Sequence, residues 1–360
     1  MQHFKLMKLK VPELKALLKQ KGLPTSGVKS VLIHRLLSNG SKAVVVKSAT
    51  VVPIQLPKLS LPHYQQTTSD LVEVVPEFEQ HYYENDPWMA EALVPKTIKR
   101  IFKDLDNLRD VVSSLTDARV KIFVSEEALL LWKFIIVPPS DTGYYGGMFE
   151  FHMILPPDYP NRPPKVILTT TGDGAIRFNP NLYANGKVCL SLLGTWQGPG
   201  WNPALSNLSE VILAILGQIM GVEDPLANEP GITTTPTQKA NYTAYLRIMT
   251  LYVAMIRSVE TKSHSPEFYP FIRNYFMSNY ASKIRPDLIK WSKKTVPVPI
   301  SSSYHSYIDY IDYSIFGQIK NSAWWESVNK TNSYKMEMER YISRMDRVVY
   351  CMFLAMGLVH

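Results

Sequence analysis

The chain has 360 residues, 46% of them hydrophobic and 11% aromatic, enough to bury a full core in two or three domains and to exclude global disorder. Two cysteines, Cys189 and Cys351, cannot build a disulfide framework or a cysteine-based zinc site, and a reducing compartment is expected. The net charge of +8 is concentrated: residues 1–42 carry nine Lys or Arg against Glu13 alone, while the other 318 residues balance at 30 basic and 30 acidic. Any field that attracts a polyanion therefore belongs to the N-terminal module.

That module reads as two short helices around a turn. Pro12 suits a first helical position, and Leu14, Leu17 and Leu18 recur at helical spacing. Gly22 stops the helix, Leu23-Pro24 imposes an extended step, and Leu32, Ile33, Leu36 and Leu37 supply a second apolar stripe. The run PELKALLKQKGLPTSGVKSVLIHRL resembles a SAP domain, a helix-extended-helix DNA-binding module, and residues 1–42 are assigned to it. Lys15, Lys19, Lys21, Lys29 and Arg35 are its candidate phosphate contacts, with Ser26 and the Gly27 backbone as further donors. The alternative is a protein-docking hairpin whose lysines confer solubility.

Residues 43–87 lose helical periodicity and read as a linker with room for one strand. A helix opens near Pro95 and runs to about Val112, with Ile98, Ile101, Phe102, Leu105 and Leu108 as its expected buried stripe. Lys96, Lys99, Arg100 and Lys103 occupy the other side. Strands are expected at 120–124, 129–137, 148–155 and 165–170, forming an antiparallel meander. The irregular stretch 171–205 is long enough to be functional. A helix follows from Asn207, where Asn-x-x-Glu imitates a capping box, and buries Val211, Ile212, Ile215, Leu216 and Ile219. Further helical segments are expected from Gln238 to Glu260 and beyond Ser263. No stretch reaches the roughly 18 apolar residues that a membrane span needs, so a soluble protein is expected.

Cys189 sits in the long loop. A thiol in an exposed polar loop is one that a macromolecule can reach, whereas a lone cysteine between Val188 and Leu190 also suits a small buried hydrophobe. The eight histidines are scattered without a ligand pattern, and no metal site is expected.

The wider pattern favours the reactive thiol. RFNPNLYANGKVCLSLLGTW (177–196), GPGWNPA (198–204), NEPG (228–231) and YPNRPP (159–164) resemble the ubiquitin-conjugating (UBC) family. The likeness is greatest to its Z type and next to the UBC domains of the giant hybrid conjugating enzyme-ligases. The resemblance implies an α+β UBC fold over residues 88–262, with an N-terminal helix, a four-stranded antiparallel meander and C-terminal helices. Residues 263–360 are then a helical extension. It implies that Cys189 accepts ubiquitin or a ubiquitin-like modifier as a thioester from an activating enzyme and passes it to lysines or to a ligase. A thioester keeps the acyl group activated for an amine, and the thiol need not titrate unusually for this.

By the same resemblance Asn181 stabilises the oxyanion or braces the loop, and a direct role would be worth about a hundredfold or more in rate. The family's motif histidine is Asn179 here, so no imidazole base stands at that position. Asp224 either positions an incoming lysine or is a solvated turn carboxylate. Lys96, Lys99, Arg100 and Lys103 are expected to contact the activating enzyme, with a solvated face as the alternative. Pro203 and Ala204 are expected to contact a ligase, although Asn161 replaces the Phe usual in the neighbouring loop. No bound cofactor is implied, since ATP is used by the upstream activating enzyme. DNA is a partner expected through the SAP-like module, and a membrane is not. Cytoplasmic or nuclear action is expected, and a large DNA virus fits as a source, with the action then in its host cell. Two further readings stand beside the enzyme: a catalytically silent UBC-fold scaffold and a DNA-binding adaptor. Loss of substrate modification in Cys189→Ala separates them from it.

Overall fold

A computed structural model describes residues 10–23, 25, 36, 71–229, 231, 233–294 and 333–355. The chain divides into two compact units, Met1–Val52 and Pro53–His360. In the first, helix α1 (Val11–Gln20) has Pro12 in its opening turn and Glu13 accepting a hydrogen bond from the Lys10 backbone. Leu14, Leu18 and Leu36 are buried, so the leucine spacing serves a small core. Gly22 follows at φ +65°, a left-handed conformation that suits glycine at a helix end.

The second unit is built on a five-stranded sheet in sequence order: β1 (Val72–Val75), β2 (Arg119–Ser125), β3 (Leu131–Val137), β4 (Phe149–Ile154) and β5 (Lys165–Leu168). Strands β2 to β5 pair antiparallel as the meander pattern predicts. Strand β1 is the one strand for which the linker left room, and it adds to β2 in parallel, Val72 opposite Ile122.

Helix α2 (Pro95–Ser114) precedes the meander and buries Thr97, Ile101, Asp104, Leu105, Leu108 and Val112. This corrects the expected stripe. Ile98 is 37% exposed and Phe102 54%, because the buried face is turned toward Thr97 and Asp104, polar residues that an apolar count passes over. Thr97 Oγ1 bridges the carbonyls of Pro157 and Tyr159 at 2.9 and 2.8 Å. Asp104 accepts from Arg100 Nε at 2.8 Å and from the Tyr159 hydroxyl.

All seven residues of β3 are buried, so both faces of the sheet are covered. One face carries Trp132, Phe134 and Ile136; the other carries Lys133 and Ile135, with Glu150 and His152 beside them on β4. This second, polar face lies beneath the chain's own flanking segments. His81 Nε2 is 3.0 Å from the Trp132 carbonyl, its ring stacks on His152 at 4.6 Å, and Phe268 meets Phe123 edge-on at 5.0 Å. Glu150 is the hub, 2.8 Å from His152 Nε2 and 2.9 Å from both His264 Nδ1 and the Ser265 backbone N–H. These contacts hold its carboxyl well below the usual carboxylate range despite burial.

After β5 come α3 (Leu208–Ala214), widened into a π turn over Ile215–Met220, and α4 (Pro236–Met249), continuing through a π segment (Thr250–Ile256) into α5 (Arg257–Glu260). Asn207 caps α3, its Oδ1 accepting from Glu210 N at 3.1 Å. The extension supplies α6 (Tyr269–Asn279), α7 (Arg285–Ser292) and α8 (Ser333–Ala355). These helices join the same core. Buried Arg247 of α4 pairs with Asp287 of α7, while Asp346 of α8 accepts from Tyr280 at 2.7 Å and Arg285 at 2.9 Å. Among the described residues no helix is long and apolar enough to cross a membrane.

Candidate active site

The loop that carries Cys189 leaves β5 and folds back on itself. Isolated bridge pairs join Asn179 to Leu182, Leu182 to Val188 and Lys187 to Ile167 of β5. The return requires Gly186, which sits at φ +89° with a Cβ position only 2.5 Å from the Leu168 carbonyl. Asn181 and Cys189 exchange two hydrogen bonds: Cys189 N donates to the Asn181 carbonyl at 2.9 Å, and Asn181 Nδ2 donates to the Cys189 carbonyl at 2.8 Å. The Asn181 amide is thus committed to the backbone of the candidate nucleophile. Thr195 closes the loop from the other side, donating to Val188 O at 2.8 Å and accepting from Leu190 N at 3.0 Å.

Cys189 is only 1% exposed, which corrects the expectation of a thiol in an exposed loop. The polar residues around it turn inward to satisfy one another, and Val188 and Leu190 anchor the backbone in the core. Burial pushes the Cys189 thiol up; Lys187, a hydrogen bond from Tyr183, and Arg177 pull the other way without cancelling it. Burial thus favours the thiol over the thiolate at Cys189. Cys351, by contrast, is exposed on α8.

Three residues shape the site without having been singled out from sequence. Arg177, 5% exposed, donates to the carbonyls of Asn179 at 3.2 Å and Pro180 at 2.6 Å, and its guanidinium lies 4.1 Å over the Tyr183 ring. Thr195 belongs to the GTW run that carried the resemblance, but no spacing rule marks it as a brace. Asn179, noted only as a replacement for histidine, is fully buried and engages Tyr144, Ile219, Asn181 and Asn228.

The other candidate residues are placed as follows. Asp224 caps the short helical turn Pro225–Asn228 by accepting from Leu226 N at 3.1 Å, and its second oxygen accepts from Thr234. Neither oxygen is simply solvated. Lys96, Lys99 and Lys103 are exposed on α2. Arg100 leaves that face, since helical periodicity points it at the 203–206 loop, where it donates to Ser206 O at 2.6 Å and Pro203 O at 3.5 Å. Pro203 and Ala204 are exposed beside it. Lys15, Lys19 and Lys21 are exposed on and just after α1; Lys29, Arg35, Ser26 and Gly27 lie outside the described residues.

A family model described as ubiquitin-conjugating enzyme matches residues 100–256, and one described as SAP domain matches residues 5–39. Ubiquitin-conjugating enzyme E2 Z of Homo sapiens is 41% identical over 184 residues, covering 50% of this chain and 49% of that protein. The Dual E2 ubiquitin-conjugating enzyme/E3 ubiquitin-protein ligase BIRC6 of Homo sapiens is 35% identical over 205 residues, 54% of this chain and 4% of that protein. A probable ubiquitin-conjugating enzyme of Acanthamoeba polyphaga mimivirus is 40% identical over 161 residues, 42% of this chain and 11% of that protein. The chain spans about half the length of the E2 Z protein it matches.

Proposed function

We propose, from the premise that the chain carries a ubiquitin-conjugating domain over residues 100–256 and a SAP domain over residues 5–39, that it accepts ubiquitin or a ubiquitin-like modifier on Cys189 and transfers it onward. The observation that carries this reading is the reciprocal pair of hydrogen bonds between Asn181 and Cys189, which fixes one cysteine within the matched family motif. In the reaction the Cys189 sulfur, deprotonated, attacks the thioester carbonyl of the modifier carried by an activating enzyme. A new thioester forms and the activating enzyme's thiol leaves. An amine then attacks that carbonyl, forms the amide and releases Cys189. Asn181 braces the loop throughout, and Asp224, at the turn after α3, positions the incoming amine.

Lys96, Lys99 and Lys103 supply a basic face for the activating enzyme, and Pro203 and Ala204 offer an exposed loop to a ligase. The SAP domain brings this chemistry to DNA through Lys15, Lys19 and Lys21, so the sites of action are cytoplasmic or nuclear. ATP enters only through the activating enzyme. The test is incubation with ubiquitin, ATP and a panel of activating enzymes, followed by reducing and non-reducing gels. A shifted band lost with reductant and in Cys189→Ala supports the reading. No charging of a folded sample by any activating enzyme would replace it with the silent scaffold.

A further inference from the structure

The segment around Cys189 hangs from the end of a helix. The last carbonyls of a helix lack intrahelical donors, and a widened final turn presents them sideways. Here the π turn over Ile215–Met220 ends α3, and two side-chain amides meet it. Asn228 Nδ2 donates to Gln218 O at 3.0 Å, and Asn179 Nδ2 donates to Ile219 O at 3.2 Å.

Asn179 continues the chain of bonds. Its Nδ2 also lies 3.0 Å from the Tyr144 hydroxyl, whose own proton goes to the Phe178 carbonyl at 2.8 Å. Its Oδ1 accepts from Asn181 N at 2.9 Å and faces Asn228 Nδ2 at 3.5 Å. Asn181 Nδ2 then reaches the Cys189 carbonyl at 2.8 Å. Three hydrogen bonds thus connect the end of α3 to the backbone of the nucleophile, and the residue in the middle is fully buried.

We propose that Asn179 is a positioning residue that hangs the Cys189 loop from the C-terminal end of α3, and that the loop requires a carboxamide there, not an imidazole. The site asks for two donors and two acceptor positions. A carboxamide supplies all four; a neutral imidazole has one donor and one acceptor, and a carboxylate has no donor. An imidazole would leave two partners unmet with no solvent to replace it. This rests on the reading of Cys189 as the acceptor thiol, and it predicts that histidine at this position impairs the site.

The test uses the full chain carrying Cys351→Ser, so that Cys189 is the one remaining thiol, with Asn179→His and Asn228→Ala introduced separately. Leu288→Ala, in the C-terminal helices, serves as a generally destabilised control. Asn179→His should speed amide hydrogen exchange at Asn181 by about tenfold, and raise alkylation of Cys189 by iodoacetamide by about fivefold, beyond the change in the Leu288 control. In thioester formation it should lower kcat by about tenfold, leave KM for the charged activating enzyme unchanged, and add no inflection near the ordinary imidazole pKa of about 6.5. Unchanged exchange and alkylation, or a faster reaction with such an inflection, would overturn the proposal. If Asn179→His does not fold, Asn228→Ala decides: about threefold faster exchange at Asn181 supports the suspension from α3 and an unchanged rate refutes it. A parent chain that no activating enzyme charges defeats the functional reading alone, since exchange and alkylation need no ubiquitin.

Discussion

Replacing Asn181 by Ala separates bracing from oxyanion stabilisation. The side-chain amide gives a 2.8 Å hydrogen bond to the Cys189 carbonyl in a setting where Asn181 is 7% exposed. The variant deletes that donor and leaves the carbonyl unsatisfied in the interior, at a cost of about 1–3 kcal/mol. In a domain of this size that lowers Tm by roughly 2–4 °C per kcal/mol. The loss should be local as well as global, because Cys189 N returns a bond to the Asn181 backbone and both strands of the loop loosen together. The assay is paired: thermal unfolding followed by circular dichroism, and the single-turnover rate of thioester formation at fixed activating enzyme. The account predicts a lower Tm together with a slower reaction. An unchanged Tm with a rate loss of about a hundredfold or more would refute bracing and leave oxyanion stabilisation as the role.

Thr195→Val keeps shape but removes a hydroxyl that holds both Val188 O and Leu190 N. It should cost about 1–2 kcal/mol and speed Cys189 alkylation in a Cys351→Ser background; unchanged alkylation would show that Thr195 does not fasten the loop. The outer sheet face sets a pH dependence. Burial lowers the His81 pKa to about 3, helped by His152, and its Nδ1 accepts a backbone N–H from Tyr83 at 3.1 Å. The unfolded chain therefore takes up the proton first, and stability falls as pH drops from about 6.5 toward 3. Glu150, held below its ordinary range, adds to the fall at the acid end. Urea midpoints from pH 7.5 to 4.5 should show this slope, and His81→Gln should flatten it; an equal slope in the variant would contradict the assignment. Replacing Lys15, Lys19 and Lys21 by Ala should weaken DNA binding across sequences and reduce the magnitude of the log Kd against log salt slope by about 2–3, read by fluorescence anisotropy. An unchanged slope would place those lysines outside the contact.

Elements governed by one dominant periodicity were legible in the sequence. The helix from Pro95 and the meander strands appear where their patterns place them, and α3 with its π turn buries each of the five apolar residues expected there. The misreadings share a cause, which is burial of polar groups that find hydrogen-bond partners inside the fold. Thr97 and Asp104 turn α2 because Pro157, Tyr159 and Arg100 satisfy them, leaving Ile98 and Phe102 to solvent. On the sheet, Lys133, Glu150 and His152 are buried as well, covered and paired by His81, His264 and Glu267. Cys189 followed the same rule: polar neighbours suggested exposure, whereas Asn181, Thr195 and Arg177 spend their polar atoms on the loop itself. Apolar periodicity does not encode such polar pairing. The family likeness made Cys189 the candidate thiol, and the geometry supplied its burial and its braces.

The central claim is tested most directly by the covalent state of Cys189. Single-turnover charging with ubiquitin and an activating enzyme, quenched at acid pH without reductant and read by intact mass and peptide mapping, should give one adduct. It should map to Cys189, reverse with thiol, persist in Cys351→Ser and vanish in Cys189→Ala. An adduct on Cys351, or none on a folded chain across a panel of activating enzymes, would contradict the account.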